Sequence, residues 1–158
     1  MIEVISFTKV KLPYGWMSNM SAHPVRIDGV LWRTAEHAFQ AGRFPLGHKL
    51  RKGLQEIKSP MEAKMVTKPF LSEAMIELRS EEDLDLMRRI TWCKMRQNDL
   101  DDDLLATGGY VIIEDVTKRN RGAGPFWGAA LIEGEWVGEN WLGRIWMEHR
   151  AKLRDQLC

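Results

Sequence analysis

The chain of 158 residues is poor in cysteine, with only Cys93 and Cys158. A disulfide framework or a zinc ribbon needs more, so free thiols in a reducing compartment are expected. Charge of one sign is missing as well. Lys and Arg total 23, Asp and Glu total 22, and the formal net charge is +1. That balance removes the whole-molecule electrostatic case for coating nucleic acid or an anionic membrane, though it leaves room for a local basic pocket. No apolar window approaches a spanning length, and MIEVISFTKVKLPYGW lacks the unbroken apolar stretch of a signal peptide. A cytoplasmic protein without a membrane partner is expected.

Several familiar signatures are also missing. There is no GxGxxG opening a helix after a strand and no GxxxxGK[ST], so ordinary dinucleotide and P-loop chemistry fall away. The four histidines, at 23, 37, 48 and 149, show no metal-ligand spacing, and no serine sits in a GxSxG elbow. No repeat, low-complexity tract or linker interrupts the chain. Its length suits one domain spanning 1–158.

What the chain has is a 44% hydrophobic composition and seven tryptophans, at 16, 32, 92, 127, 136, 141 and 146. The apolar content argues against disorder. The tryptophans suit a well-filled core or a platform for a flat heterocycle. Residues 2–8 alternate and are β-branched or aromatic, which predicts a strand, and Lys11 to His23 reads as a loop. Pro24 to Trp32 predicts a hairpin turning at Asp28-Gly29. Thr34 predicts a helix N-cap before AEHAFQAGRF, with Glu36 and Gln40 four apart on one face.

Leu46 to Ile57 predicts a second helix. Ser59, Pro60 and Glu62 mark a third, running to Pro69. A further helix is expected over Ser72 to Leu78, and the longest over Glu81 to Gln97. Asn98 or Asp99 is expected to cap a short helix that Gly108-Gly109 ends. Tyr110 to Ile113 predicts a strand and Val116 to Pro125 a basic, Gly-rich loop. A last helix runs from about Asn140 to Leu157. The fold class expected is mainly α with a small β element, a compact α+β single domain.

Read singly, the polar candidates have ordinary explanations. Glu36 complements a helix dipole, Lys64 and Lys68 share a solvated face, and Asn140 caps a helix. Together they form an ordered series: Trp16-Met17-Ser18-Asn19-Met20; Thr34-Ala35-Glu36-His37-Ala38-Phe39-Gln40; Ser59-Pro60-Met61; Lys94-x-x-Gln97-Asn98. The series continues through Leu104 to Gly108, Glu114, Phe126-Trp127-Gly128, and Asn140-x-Leu142-Gly143 with Met147 and Arg150. This series resembles the NADAR family, which includes the riboflavin-biosynthesis-intermediates N-glycosidases, over nearly the whole chain.

The resemblance implies a hydrolase that cuts the bond between a ribose C1′ and an amine nitrogen, with no metal and no cofactor. Its small-molecule substrate is a phosphoribosyl-amine of riboflavin synthesis, releasing ribose 5-phosphate, or an ADP-ribosyl compound. The alternatives are removal of ADP-ribose from guanine, where nucleic acid enters as a partner, and a non-catalytic ADP-ribose- or nucleotide-binding domain. The basic run Lys118-Arg119-Asn120-Arg121 is the local support for the guanine reading.

Glu36 matches the family's glutamate and is assigned to steadying the ribose cation. Lys94 matches a family lysine and either holds phosphate or, with a lowered pKa, attacks an opened sugar. Glu114 is a second carboxylate candidate. Asn19, Gln97 and Asn140 suit ribose hydroxyls or base edges, and Gln40 joins them as a binding residue. Trp127 is assigned to stacking, and Arg43 and Lys64 to phosphate. The chain departs from the family pattern before Trp127-Gly128, where Ala123-Gly124-Pro125-Phe126 stands in place of an Asp-bearing stretch. It departs again at Ala129-Ala130 and near Arg79.

Overall fold

The computed structural model describes residues 2–158. In chain order these residues form β1 (Val4–Phe7), β2 (Val25–Ile27), β3 (Val30–Trp32), α1 (Ala35–Gly42), α2 (Lys49–Glu56), α3 (Pro60–Val66) and α4 (Glu81–Gln97). There follow α5 (Asp101–Leu105), β4 (Val111–Glu114), α6 (Gly124–Trp127), β5 (Ala130–Ile132), β6 (Glu135–Val137) and α7 (Trp141–Leu157). The chain is mostly helical, with three two-stranded sheets among the described residues. They sort into two units, one from 19–98 and one built from the N-terminal residues to Ser18 with 99–158.

In the 19–98 unit the β2–β3 hairpin turns at Asp28 and Gly29, whose φ values of 50° and 79° suit the left-handed turn that Asp-Gly favours. Thr34 caps α1 by accepting the His37 backbone N–H, and Ser59 caps α3 with Pro60 in its first turn. Ser80 caps α4, whose first turn carries Glu81, Glu82 and Asp83, placing acids at the positive end of the helix. α1 packs against α2, α3 and α4, and its residues Ala35 to Ala41 are buried on every side.

In the other unit β1 and β4 pair in parallel, Val4 opposite Val111 through Phe7 opposite Glu114. Burial alternates along β1, placing Ile5 and Phe7 in the core. α7 packs on β4 through Leu142, Ile145 and Trp146. The Trp146 indole donates to the Met17 carbonyl at 3.1 Å, and Trp16 meets Trp146 edge to face at 5.4 Å.

Three sequence-based expectations are corrected, and one element appears that the sequence did not announce. Residues 72–78 are not an α-helix: a 3-10 segment covers Lys68–Glu73 and ends there. The backbone beyond it bonds elsewhere, Met75 N–H to the Arg43 carbonyl and Arg79 N–H to the Asp83 carboxylate. Neither Asn98 nor Asp99 caps α5. The Asn98 amide donates to the carbonyls of Pro24 and Lys94, while Asp99 turns left-handed at φ 55°. Asn140 also adopts φ 56°, and its side chain does not cap α7. The β5–β6 hairpin was not expected, because its turn is Glu133-Gly134, and glutamate at a positive φ sends no turn signal.

Candidate functional site

A helix buried on all sides must find partners for its polar side chains, because each unpaired group costs about 1–3 kcal/mol. On α1 these are Glu36, His37 and Gln40. The Ile57 carbonyl lies 2.9 Å from His37 Nε2 and can only accept, so Nε2 carries the proton and Nδ1 accepts the Thr34 hydroxyl at 2.8 Å. Burial lowers the His37 pKa, the main effect, which suits this neutral ring. Gln40 Nε2 donates to Glu36 Oε1 at 2.9 Å, and Gln40 Oε1 accepts from the Thr67 hydroxyl at 2.9 Å. Glu36 is only 7% exposed, and Gln40 is its one hydrogen-bonding side chain among the described residues. A carboxyl group held this way is largely shielded from water.

The segment after Ser18 links α1 to α4. The Asn19 carbonyl accepts the Glu36 backbone N–H at 3.0 Å, and its side-chain amide donates to Met87 Sδ at 3.3 Å. Asn19 Oδ1 is buried without a hydrogen-bond partner among the described residues. Such an atom marks a place where a ligand hydroxyl or N–H would be stabilised. Met87, Thr91 and Lys94 follow one another at helical spacing on the buried face of α4. The Lys94 side chain is fully buried, and loss of hydration pushes its pKa down to about 7. His23 titrates lower than usual, chiefly because it is partly buried and secondarily because Lys94 repels its proton. Asn19, Glu36, Gln40 and Lys94 are therefore all buried side chains of α1, α4 and the segment joining them. A lysine titrating near neutrality can serve as acid, base or amine nucleophile.

The remaining candidates of this unit are placed differently. Arg43 is buried and forms a bidentate pair with Asp83, at 2.9 Å through Nε and 2.7 Å through Nη2. Its charge is matched within the fold by Asp83. Lys64 is half-buried on α3, and its ammonium meets no carboxylate among the described residues. Gln97 is exposed and uses both ends of its amide on the Arg26 backbone, Oε1 at 2.7 Å and Nε2 at 3.0 Å, which fastens β2 to α4.

In the other unit, three candidates surround the end of β4. Asn140 accepts the Glu114 N–H at 3.0 Å through Oδ1 and donates to the Ile112 carbonyl at 2.8 Å through Nδ2. The Glu114 carbonyl accepts the Ala129 N–H, so the segment after Trp127 returns to the same strand end. A Cβ at Gly128 would lie 2.4 Å from the Glu114 carbonyl oxygen, which explains why glycine follows Trp127. Trp127 is half-buried, its ring edge-on to Phe126 at 4.9 Å.

Sequence reasoning missed Thr67, Asp83 and His23. Asp83 and Thr67 lie 40 and 27 residues from their side-chain partners, so no local spacing announces them. Among the described residues no three His, Cys, Asp or Glu side chains group as metal ligands, and no helix is long and apolar enough to cross a membrane.

Comparison with known proteins gives a consistent picture. The NADAR domain matches residues 6–154. The N-glycosidase YbiA of Escherichia coli is 31% identical over 151 residues, covering 95% of this chain and 88% of its own. The N-glycosidase Npun_R5314 of Nostoc punctiforme is 31% identical over 160 residues, covering 97% of this chain and 94% of its own. The NMR structure of the E. coli protein YbiA superposes with a TM-score of 0.76, covering 99% of this chain and 89% of that one. The chain belongs to the NADAR family.

Proposed function

We propose that this chain is an N-glycosidase, a hydrolase acting on N-glycosyl compounds, and that its substrate is a phosphoribosyl-amine intermediate of riboflavin biosynthesis. The family membership and the names of its relatives support the bond type. The observation that carries the catalytic reading is Glu36, an acid 7% exposed whose one hydrogen-bonding side chain is the neutral amide of Gln40. As the C1′–N bond breaks, its electron pair leaves on nitrogen and positive charge grows on the ribose ring. A nearby carboxylate in a water-poor setting lowers that barrier. The water oxygen then bonds to C1′; one water hydrogen ends on the departing nitrogen and the other remains in the new sugar hydroxyl. The products are ribose 5-phosphate and the free amine.

Asn19 Oδ1 is assigned to a ribose hydroxyl, Lys94 to protonating the leaving nitrogen and Lys64 to phosphate. For Glu114 as second carboxylate and Trp127 as stacking surface, the support is the family resemblance alone. The reading takes residues 1–158 as one functional domain and needs no cofactor. The unbridged cysteines suit a reducing, cytoplasmic setting.

The exposed basic run 118–121 favours a second reading, removal of ADP-ribose from guanine. Released sugar phosphate scored across phosphoribosyl-amines and ADP-ribosyl-guanosine separates the two. On the active substrate, Glu36→Gln is expected to lower kcat by about a hundredfold or more, as for other lost charge-stabilising groups. Wild-type turnover by that variant would overturn the catalytic assignment. Borohydride trapping tests the Schiff-base route, which requires a reduced sugar adduct on Lys94.

A further inference from the structure

The Thr67 hydroxyl has two acceptors at equal distance. It lies 2.9 Å from Gln40 Oε1 and 2.9 Å from the Lys64 carbonyl, yet it has one hydrogen to give. Thr67 is 1% exposed and Gln40 is 4% exposed, so neither can turn to bulk solvent for a replacement. Gln40 in turn meets Glu36 at 2.9 Å. These three side chains, from the end of α3 and two turns of α1, form an unbranched relay that ends on the carboxylate.

The relay has two self-consistent settings. In the first, Thr67 donates to Gln40 Oε1 and Gln40 Nε2 donates to Glu36, the setting that suits the anion because a carboxylate is the stronger acceptor. In the second, Thr67 donates to the Lys64 carbonyl and the Gln40 amide turns over. Its Nε2 now donates to Thr67 Oγ1, and its Oε1 accepts from a protonated Glu36. The Thr67 hydroxyl and both ends of the Gln40 amide keep partners in both settings. No proton travels along the relay: Glu36 takes one from the attacking water as its oxygen bonds to C1′ and returns it to Lys94, which has given its own to the departing nitrogen, while the other two groups only reorient.

We propose that Thr67 is a positioning residue for Glu36, a hydroxyl toggle that keeps the carboxyl group fixed in both its ionised and its neutral form. This rests on the reading of Glu36 as the catalytic carboxylate. A fixed backbone carbonyl at Lys64 is what permits the second setting; without it the hydroxyl would hold Gln40 in one orientation only. The other titratable or charged groups on elements packed against α1 are His37 on the helix itself, Glu62 and Lys64 on α3, Lys49, Arg51, Lys52 and Glu56 on α2 with His48 as its cap, and Arg26 on β2. Arg33 lies beside β3. Those buried on α4 are Lys94 and Asp83, the latter paired with Arg43.

The test is steady-state kinetics of Thr67→Val and Thr67→Ser, each alone and in a Glu36→Gln background, with thermal melting of all variants. Thr67→Val keeps the shape and removes the hydroxyl. It is expected to lower kcat about tenfold, the rate equivalent of one hydrogen bond, with KM changed less than about twofold. Thr67→Ser is expected to restore most of kcat. With Gln at position 36 there is no carboxyl left to position, so adding Thr67→Val is expected to change the residual rate less than about twofold. A merely structural role would instead lower the rate by the same factor in both backgrounds. Equal kcat for Thr67→Val and wild type, or no rescue by serine, overturns the proposal. Thr67→Ala serves if the valine variant does not fold. Full activity of Glu36→Gln alone points instead to failure of the catalytic reading.

Discussion

Asn19 and Asn140 are both 8% exposed, and the two regions around them treat a buried amide in opposite ways. At the end of β4, both ends of the Asn140 side chain are bonded to backbone, one to the Glu114 N–H and one to the Ile112 carbonyl. Nearby in the same unit, the Arg150 guanidinium donates to the Thr107 hydroxyl, which itself donates to the Leu104 carbonyl. Polar groups there complete the fold. Between α1 and α4, by contrast, Asn19 has a weak bond to sulfur and an oxygen with no partner, and Lys94 is stripped of water. A fold does not need such groups, and they reduce its stability. A ligand that completes the Asn19 oxygen would account for it, which is why the proposed chemistry is placed in the 19–98 unit.

Paired substitution of the two asparagines is the strongest way to break this contrast. Asn140→Ala strands a part-buried N–H and a buried carbonyl and puts alanine at φ 56°, and a loss of about 3 kcal/mol is expected. Asn19→Ala strands nothing on the backbone. Its melting temperature is expected to stay close to wild type while KM rises about tenfold, the equivalent of one ligand hydrogen bond. Urea titrations alongside kinetics decide it. Equal destabilisation by both variants would erase the distinction between the regions.

The next largest effect concerns Lys94. Its pKa is about 7 folded against an ordinary 10.5, so between those values the unfolded chain holds a proton that the folded chain has released. Stability therefore rises with pH through this window, and the penalty is at its fullest below pH 7. Relative to Lys94→Met, the wild type is expected to gain about 2 kcal/mol between pH 7 and pH 9. Chemical denaturation of both proteins at several pH values measures the difference and cancels other titrating groups. Parallel stability curves would mean that the ammonium is not desolvated in the fold.

How far these features can be read in the sequence depends on the distance between partners. Both ends of α4 follow from Ser80 with its acidic first turn and from the stripe of Leu84, Met87, Ile90, Thr91 and Met95. The Asp28-Gly29 turn and the Ser59-Pro60 helix start are equally local. The Glu36–Gln40 bond is a four-residue spacing on one helix and is legible for that reason. Asp83 engaging Arg43, Thr67 reaching Gln40 and Asn140 fastening β4 join side chains to groups 26 to 40 residues away. Composition and periodicity carry no information about such pairs. The family resemblance singled out residues of α1 and α4, but it could not distinguish a side chain that holds the fold from one that holds a ligand.

Gln97 tests that distinction at its weakest end. Its amide makes the same kind of double bond to backbone as Asn140, here to both polar groups of Arg26. The difference is exposure: the Gln97–Arg26 bonds join two exposed residues, whereas Ile112 is buried in the core. When Gln97 is replaced by alanine, solvent takes over both bonds, so a cost below about 1 kcal/mol is expected. If equilibrium unfolding of Gln97→Ala instead shows a loss as large as that of Asn140→Ala, the number of bonds rather than their burial sets the energy. In that case the unpartnered oxygen of Asn19 would lose its meaning as the mark of a binding site.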